Sequence, residues 1–265
     1  MNAKSFSLLF LAVGLFCIPL SIQAGQDTLS FVIAPPPVGY PVFEKGFTDQ
    51  TVGGNFIYVS SKLMDTSFQL FGAMVFGNWQ YCLTDKFALS GNFGASFLFG
   101  DKYDLLMMQI PYQFSLAYQI DITKDTSLFL LGGAGGDLGL TSMTVEVPKF
   151  APPSTFIIDP TTVSTTTATG RITGGLQANI GIGQFIFSPF GLYTYTAGTY
   201  WMEQKSAMSY DYPSSSGAID GYSTTILGFD LLYKPLGVSL SSITHFRPDT
   251  TLVSIALKWL LSRNP

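Results

Sequence analysis

From residue 107 the chain reads MMQIPYQFSLAYQI. Met108, Ile110, Tyr112, Phe114, Leu116, Tyr118 and Ile120 fall on one parity, and Gln109, Pro111, Gln113, Ser115, Ala117 and Gln119 on the other. Side chains of an extended chain point alternately to opposite faces, so this pattern is a β-strand with one apolar and one polar face. The third such run opposes Phe87, Leu89, Phe93, Ala95, Phe97 and Phe99 to Ser90, Asn92, Gly94 and Ser96. The sixth opposes Ile172, Leu176, Ala178, Ile180 and Ile182 to Arg171, Thr173, Gln177 and Asn179. The last opposes Val253, Ile255, Leu257 and Trp259 to Ser254, Ala256 and Lys258. Ten runs are predicted, at 53–60, 68–81, 87–99, 105–120, 126–140, 169–182, 184–200, 221–233, 236–246 and 250–261.

The connections alternate in length. TDK (84–86), ITKD (122–125), GIG (181–183) and YKPLG (233–237) are tight turns, whereas 141–168 and 201–220 read as long loops. SKLMDTS and GDKYD are intermediate, and the connection around Arg247–Thr250 is short. Short turns at one end and longer loops at the other characterise transmembrane β-barrels, with the short turns on the periplasmic side. Strand length agrees. Runs of 13 or more residues reach roughly 43 Å at about 3.3 Å per residue, while strands of soluble domains average five or six residues.

Composition decides what the apolar parity faces. Only 11% of the 265 residues are charged and 15% are aromatic, against about 25% charged in an ordinary soluble domain. A soluble sandwich needs charges on its wet face. The polar parities here carry Gln, Asn, Ser, Thr and Gly, which suit a narrow hydrogen-bonded interior. Trp79, Tyr81, Tyr118, Tyr200, Trp201 and Trp259 fall near strand ends, where interfacial aromatic girdles form. The expected fold is all-β, a transmembrane antiparallel up-and-down β-barrel of about ten strands (range roughly 8–12). Its apolar parity faces lipid, so outer-membrane lipid is its first partner.

The N-terminus adds an address. Lys4, the apolar run FSLLFLAVGLFCIPL and Ser-Ile-Gln-Ala form a secretory signal peptide, residues 1–24, with cleavage after Ala24. Residues 25–50 contain Pro35, Pro36, Pro37 and Pro41 and read as an irregular N-terminal segment with at most a short strand near Leu29–Ile33. The barrel then occupies residues 51–265. Cys82 is left as the lone cysteine after the signal peptide, unable to staple the fold internally. A net charge of −4 with no basic patch argues against nucleic acid.

LFLLGGAGGDLGL (128–140) puts Gly133, Gly135 and Gly139 on the inward parity, where a small curved barrel has least room. Pro111 and Pro189 lie inside strand runs and predict bulges. FSPFGLYTYTAG (187–198) and LFLLGGAGG resemble the Pro–aromatic and Gly-x-Gly strands of small bacterial outer-membrane β-barrel proteins. The resemblance covers most of residues 51–265 by pattern. It implies the outer membrane of a Gram-negative bacterium, porin-like architecture and insertion by the barrel-assembly machinery. The chain departs from that class at its end, running past Trp259 to LLSRNP where the class closes on a terminal Phe.

Candidate chemistry is sparse. Asp137 and Arg171 share inward parities beside the 141–168 segment, and Asp230 and Lys258 lie inward near the turn-side ends of their strands. Two readings stay open: ion pairs that tie the strands together, or a charged constriction selecting small polar solutes. Inward Phe129, Leu131, Phe190 and Leu192 add a hydrophobic pathway. His245, the single histidine, follows Ser239, Ser241 and Ser242 in VSLSSITHF and raises a Ser–His lipid hydrolase. It lacks the His-x-Ser-Asn-Gly-type motif of outer-membrane phospholipases, so no catalytic set is assigned. No cofactor and no metal site is expected, with one His, one Cys beyond the signal peptide and no carboxylate cluster at ligand spacing. The expected function is therefore a structural or loop-mediated role with at most a narrow lumen, acting on extracellular partners through 141–168 and 201–220; a solute or hydrophobic-compound channel is the alternative.

Overall fold

A computed structural model describes residues 43–63, 66–151, 155–206, 214–247 and 250–264. The signal peptide and most of the irregular segment, with the short strand near Leu29–Ile33, lie outside these described residues. Ten strands follow: β1 Thr48–Leu63, β2 Thr66–Thr84, β3 Phe87–Gly100, β4 Leu106–Thr123, β5 Thr126–Ala151, β6 Thr155–Ile182, β7 Phe185–Ser206, β8 Ser215–Tyr233, β9 Val238–Arg247 and β10 Thr250–Asn264. Each pairs antiparallel with its sequence neighbour, and β1 closes on β10 to complete the barrel.

Alternation fixes the two faces. On β4, Ile110, Tyr112, Phe114 and Leu116 point out, while Gln109, Gln113 and Ser115 are buried inside. Phe93, Phe114 and Ile172 are 65%, 67% and 64% exposed on the outer wall. The outward apolar series from Met108 to Ile120 runs roughly 40 Å along the strand at about 3.3 Å per residue. A strand tilt of about 40° lowers that to roughly 30 Å of height, the band of a bilayer-spanning barrel with its girdles. The outward positions of β3, β4 and β10 over this height carry no charge. Water has no reason to be offered such a belt. The chain is a transmembrane antiparallel β-barrel.

Four features differ from the sequence expectation. First, β1 begins at Thr48, so Asp49 belongs to the barrel and not to the irregular segment. Second, the described residues of 141–168 are strand and not loop: β5 and β6 stay in register from Thr126↔Ile180 to Ala151↔Thr155. Thr, Ser and Pro are loop-like as a composition, but Thr and Val on alternating positions are strand formers. Pro160 is tolerated because β7 pairs with β6 only from Thr161 onward, leaving Pro160 on an open edge. Third, much of 201–220 is also strand, since β7 continues to Ser206 and β8 starts at Ser215. Fourth, neither Pro111 nor Pro189 makes a bulge. The β3–β4 ladder is interrupted between Phe93↔Tyr112 and Ser96↔Gln109, and the β6–β7 ladder between Gln177↔Phe190 and Ile180↔Phe187, both without a register shift. A missing N–H costs one ladder bond but adds no residue. The register shifts lie at Gln50/Thr51, Cys82/Thr84, Asp121/Thr123 and Thr196/Gly198.

The tight turns, the start of β1 and the end of β10 lie together, with Thr48 opposite Asn264. This is called the turn end. At the other end β4 stops pairing with β5 at Ser142, and β5 and β6 continue as a two-stranded ribbon joined from Thr161 by β7.

Candidate functional site: the packed, charged lumen

The interior is built in three layers. At the ribbon end, Ile57, Val59, Phe68, Leu70, Met74, Phe76, Leu98, Leu105, Met107 and Leu252 form one buried apolar cluster, with Met143 packed against it. Its β2 members, Phe68, Leu70, Met74 and Phe76, escape a parity reading because FQLFGAMVFGNWQYC is apolar on both parities. Toward the turn end a second cluster joins Cys82, Ala88 and Ala117 of β2–β4 to Phe129, Leu131, Phe190, Leu192, Ile226 and Ile243 of β5 and β7–β9. The cluster also holds Phe43, from the chain before β1, so that its members lie along the inner wall on β2–β5 and β7–β9 and on the segment that leads into the barrel.

Between and around the clusters runs a polar belt. Asn78 Nδ2 donates to Asn92 Oδ1, Gln113 Nε2 to Ser115 Oγ at 3.1 Å and Gln177 Nε2 to Asn179 Oδ1 at 2.9 Å. Its charges stand as follows. Lys258 Nζ lies 2.8 Å from Asp230 Oδ2, with side chains 3% and 8% exposed. Ser241 Oγ donates to the other oxygen of Asp230 at 2.8 Å. Lys258 pairs in register with Ser239 of β9, and Asp230 with Ser241, so the ion pair reaches across β9 and joins β10 to β8. Serines at both β9 positions keep that crossing clear.

Asp137 and Arg171 are both buried, but they are diagonal neighbours: Asp137 faces Thr169 and Arg171 faces Gly135. Thr169 Oγ1 donates to Asp137 Oδ2 at 2.7 Å, and Arg171 Nη2 donates to the Tyr112 carbonyl of β4 at 3.1 Å. The guanidinium reaches β4 because β5 between them presents Gly135, where a Cβ would stand 2.2 Å from that same carbonyl oxygen. Gly133 is equally constrained, its Cβ position lying 2.5 Å from the Phe114 carbonyl. Arg171 Nε and Nη1 and His245 Nε2 have no hydrogen-bond partner among the described residues.

His245 and Ser241 share the inner face of β9, both buried. The Ser241 proton is given to Asp230, however, and His245 pairs with Leu252 and Ile226. Phe129, Leu131, Phe190 and Leu192 are inward as expected, packed into the turn-end cluster. Of the aromatic set, Trp79, Tyr81, Tyr118, Trp201 and Trp259 are exposed on the outer wall. Tyr200 departs from the girdle expectation. It pairs with Thr167, a lumen-side residue, and lies half-buried over Gly217. A residue next to Trp201 must face the other way.

Sequence reasoning missed the turn-end charges. Asp49 and Arg263 are register partners across the β1–β10 seam, with Arg263 Nε 3.6 Å from Asp49 Oδ1. Arg263 Nη2 also lies 3.2 Å from Glu44 Oε1, and Gln80 Nε2 approaches Asp49 Oδ2 at 3.4 Å. Extending the alternation of β1 four residues outward places Asp49 inside, but the alternation of β10 puts Arg263 on the outward parity; the register shift at Gln50/Thr51 is what brings it opposite Asp49. At the ribbon end, the Arg247 guanidinium sits 3.9 Å from the centre of the Tyr222 ring.

No family model matches the chain and no curated protein matches it. Among solved structures it is similar to outer-membrane β-barrel proteins. The outer membrane protease OmpT from Escherichia coli is 8% identical, covering 81% of this chain and 96% of that one with a TM-score of 0.49. Ail, the attachment invasion locus protein of Yersinia pestis, in complex with a heparin analogue, is 11% identical over 83% and 99%, with a TM-score of 0.35. The outer membrane protein OprG from Pseudomonas aeruginosa is 11% identical over 82% and 98%, with a TM-score of 0.34.

Proposed function

We propose that this chain is an outer-membrane barrel of a Gram-negative bacterium that serves as a sealed scaffold and acts through its exposed ends, chiefly the β5–β6–β7 extension. The turn end faces the periplasm and the extension faces outward. Export by the 1–24 signal peptide and insertion by the barrel-assembly machinery belong to the same reading. One observation carries it: the inward face is packed with buried apolar side chains at two levels, the ribbon-end cluster around Leu70, Met74 and Leu98 and the turn-end cluster around Phe129 and Phe190. A barrel of about ten strands is only slightly wider than the eight-stranded ones that side chains fill, and here buried apolar side chains pack its inner face at both levels. The belt charges then act as cross-braces, Lys258–Asp230 with Ser241 tying β8, β9 and β10, and Arg171 tying β6 to β4.

Purified protein in a planar bilayer tests this. A sealed scaffold gives no reproducible conductance steps. The second reading, a charged constriction, draws support from the two unbonded nitrogens of Arg171. Open-channel steps that change size or ion preference in Arg171→Ala would replace the scaffold reading with that one. Lipid hydrolysis abolished by His245→Ala would make the chain an enzyme.

A further inference from the structure

The chain that leads into β1 does not lie outside the barrel. Phe43 is buried to 5% exposure, and its ring meets Phe129 edge-on with centroids 5.0 Å apart. The place it occupies is prepared by the sheet. Cys82, Ala88, Ala117 and Leu131 are consecutive register partners on β2, β3, β4 and β5, all facing inward. Three small side chains in one row leave a shallow apolar niche, and a phenyl ring from another part of the chain fills it.

The segment is fastened at separate points. Gly46 N–H donates to the Cys82 carbonyl at 2.8 Å, and Cys82 N–H donates to the Phe47 carbonyl at 2.9 Å. Lys45 N–H donates to Asp85 Oδ1 in the β2–β3 turn at 2.8 Å. The Glu44 carboxylate holds Arg263 at 3.2 Å, at the rim, with half of the Glu44 side chain exposed. Gly46 has φ +84° with open space around it, the left-handed backbone that reverses the chain from the niche into β1.

We propose that Phe43–Phe47 is a releasable plug of the turn-end lumen, latched by Glu44–Arg263. It is small and tied at a solvated rim, features of a low-stability unit that opens without the barrel unfolding. Its withdrawal uncovers the niche to the turn-end side, while the ribbon-end cluster keeps the other mouth shut. The plug and the sealed scaffold therefore fail separately: one is read by access from the turn end, the other by conductance through the barrel.

Cys82 is the reporter, since it is fully buried in the niche and is the free thiol among the described residues. The experiment uses the full chain folded in detergent micelles, in a Cys17→Ser background, with a water-soluble maleimide. In the parent, Cys82 labels slowly. Phe43→Ala raises the rate about tenfold or more, the factor expected when one buried aromatic contact no longer holds a local unit closed. Glu44→Gln, a rim change that leaves the barrel intact, raises it less. Molar salt raises the parent rate but not the Glu44→Gln rate, because screening acts on the latch. Every variant must keep heat-modifiable migration; if Phe43→Ala loses it, the Glu44→Gln and salt comparisons decide. Lys124→Cys at an exposed turn shows that reagent reaches this end. Labelling of Cys82 at the parent rate in the folded variants, with Lys124→Cys labelling fast, would overturn the proposal.

Discussion

Single residues in this barrel act mainly by what they leave room for. Gly135 lets Arg171 cross β5, and a Cβ there would stand 2.2 Å from a backbone oxygen. Gly132 faces outward with nothing within 4 Å of its Cβ position. Gly135→Ala is therefore expected to cost about 1–3 kcal/mol through overpacking, and Gly132→Ala close to nothing. Urea midpoints of the heat-modifiable form compare the two, and equal midpoints would refute this account of the glycine pattern. The Asp230–Lys258 pair allows a sharper test. Removing one partner strands a buried charge, so Lys258→Met should lose roughly 3–5 kcal/mol. Adding Asp230→Leu to Lys258→Met should restore much of that loss, because the orphaned carboxylate disappears. A double variant as unstable as the single one would show that packing around Lys258, not its charge, is what matters.

At the scale of elements, the β5–β6 ribbon is the part furthest from its composition. Between Glu146 and Ala151 on β5 and Thr155 and Pro160 on β6, each strand pairs only with the other. β4 ends its pairing with β5 at Ser142 and β7 starts with β6 at Thr161. Replacing residues 146–160 by a two-residue Asn-Gly turn, the preferred chemistry of a tight hairpin, should leave heat-modifiability and the urea midpoint unchanged. It should abolish binding of any partner that the extension recruits. A large fall in midpoint would mean that the ribbon contributes to barrel closure. The seam at the opposite end depends on Asp49 and Arg263, residues that a strand reading begun at residue 53 and ended at 261 leaves outside both strands.

For the molecule as a whole, the membrane assignment rests on the outer belt. Phe114 is two-thirds exposed at mid-height on β4, whereas Ile182 is similarly exposed at the β6–β7 turn. Lysine at the bilayer midplane of a barrel costs roughly 2–4 kcal/mol and close to zero near the interface. Phe114→Lys should thus destabilise the protein folded in vesicles by that order, and Ile182→Lys by much less. Equal, negligible effects would mean that water, not lipid, surrounds the belt.

Period-two alternation by itself determined ten strands, their order, the lipid-facing parity and the inward placement of Asp137, Arg171, Asp230 and Lys258. It succeeds because the side-chain period of a strand is fixed by covalent geometry, and because lipid outside and packed groups inside demand opposite chemistry of successive residues. It misjudged 141–168, where hydroxyl-rich strand and loop look alike by composition, and it assigned no inward apolar set to β2, which is apolar on both parities. What the lumen contains was decided only by closure of the sheet. Contacts that skip a strand or leave the sheet join residues that share no local pattern: Lys258 with Asp230 over β9, Arg171 with the Tyr112 carbonyl over β5, and Phe43 with Phe129 in its niche. Register and curvature set those distances, and both are properties of the whole barrel. The same closure packs the inward apolar residues into buried clusters, which no single strand specifies.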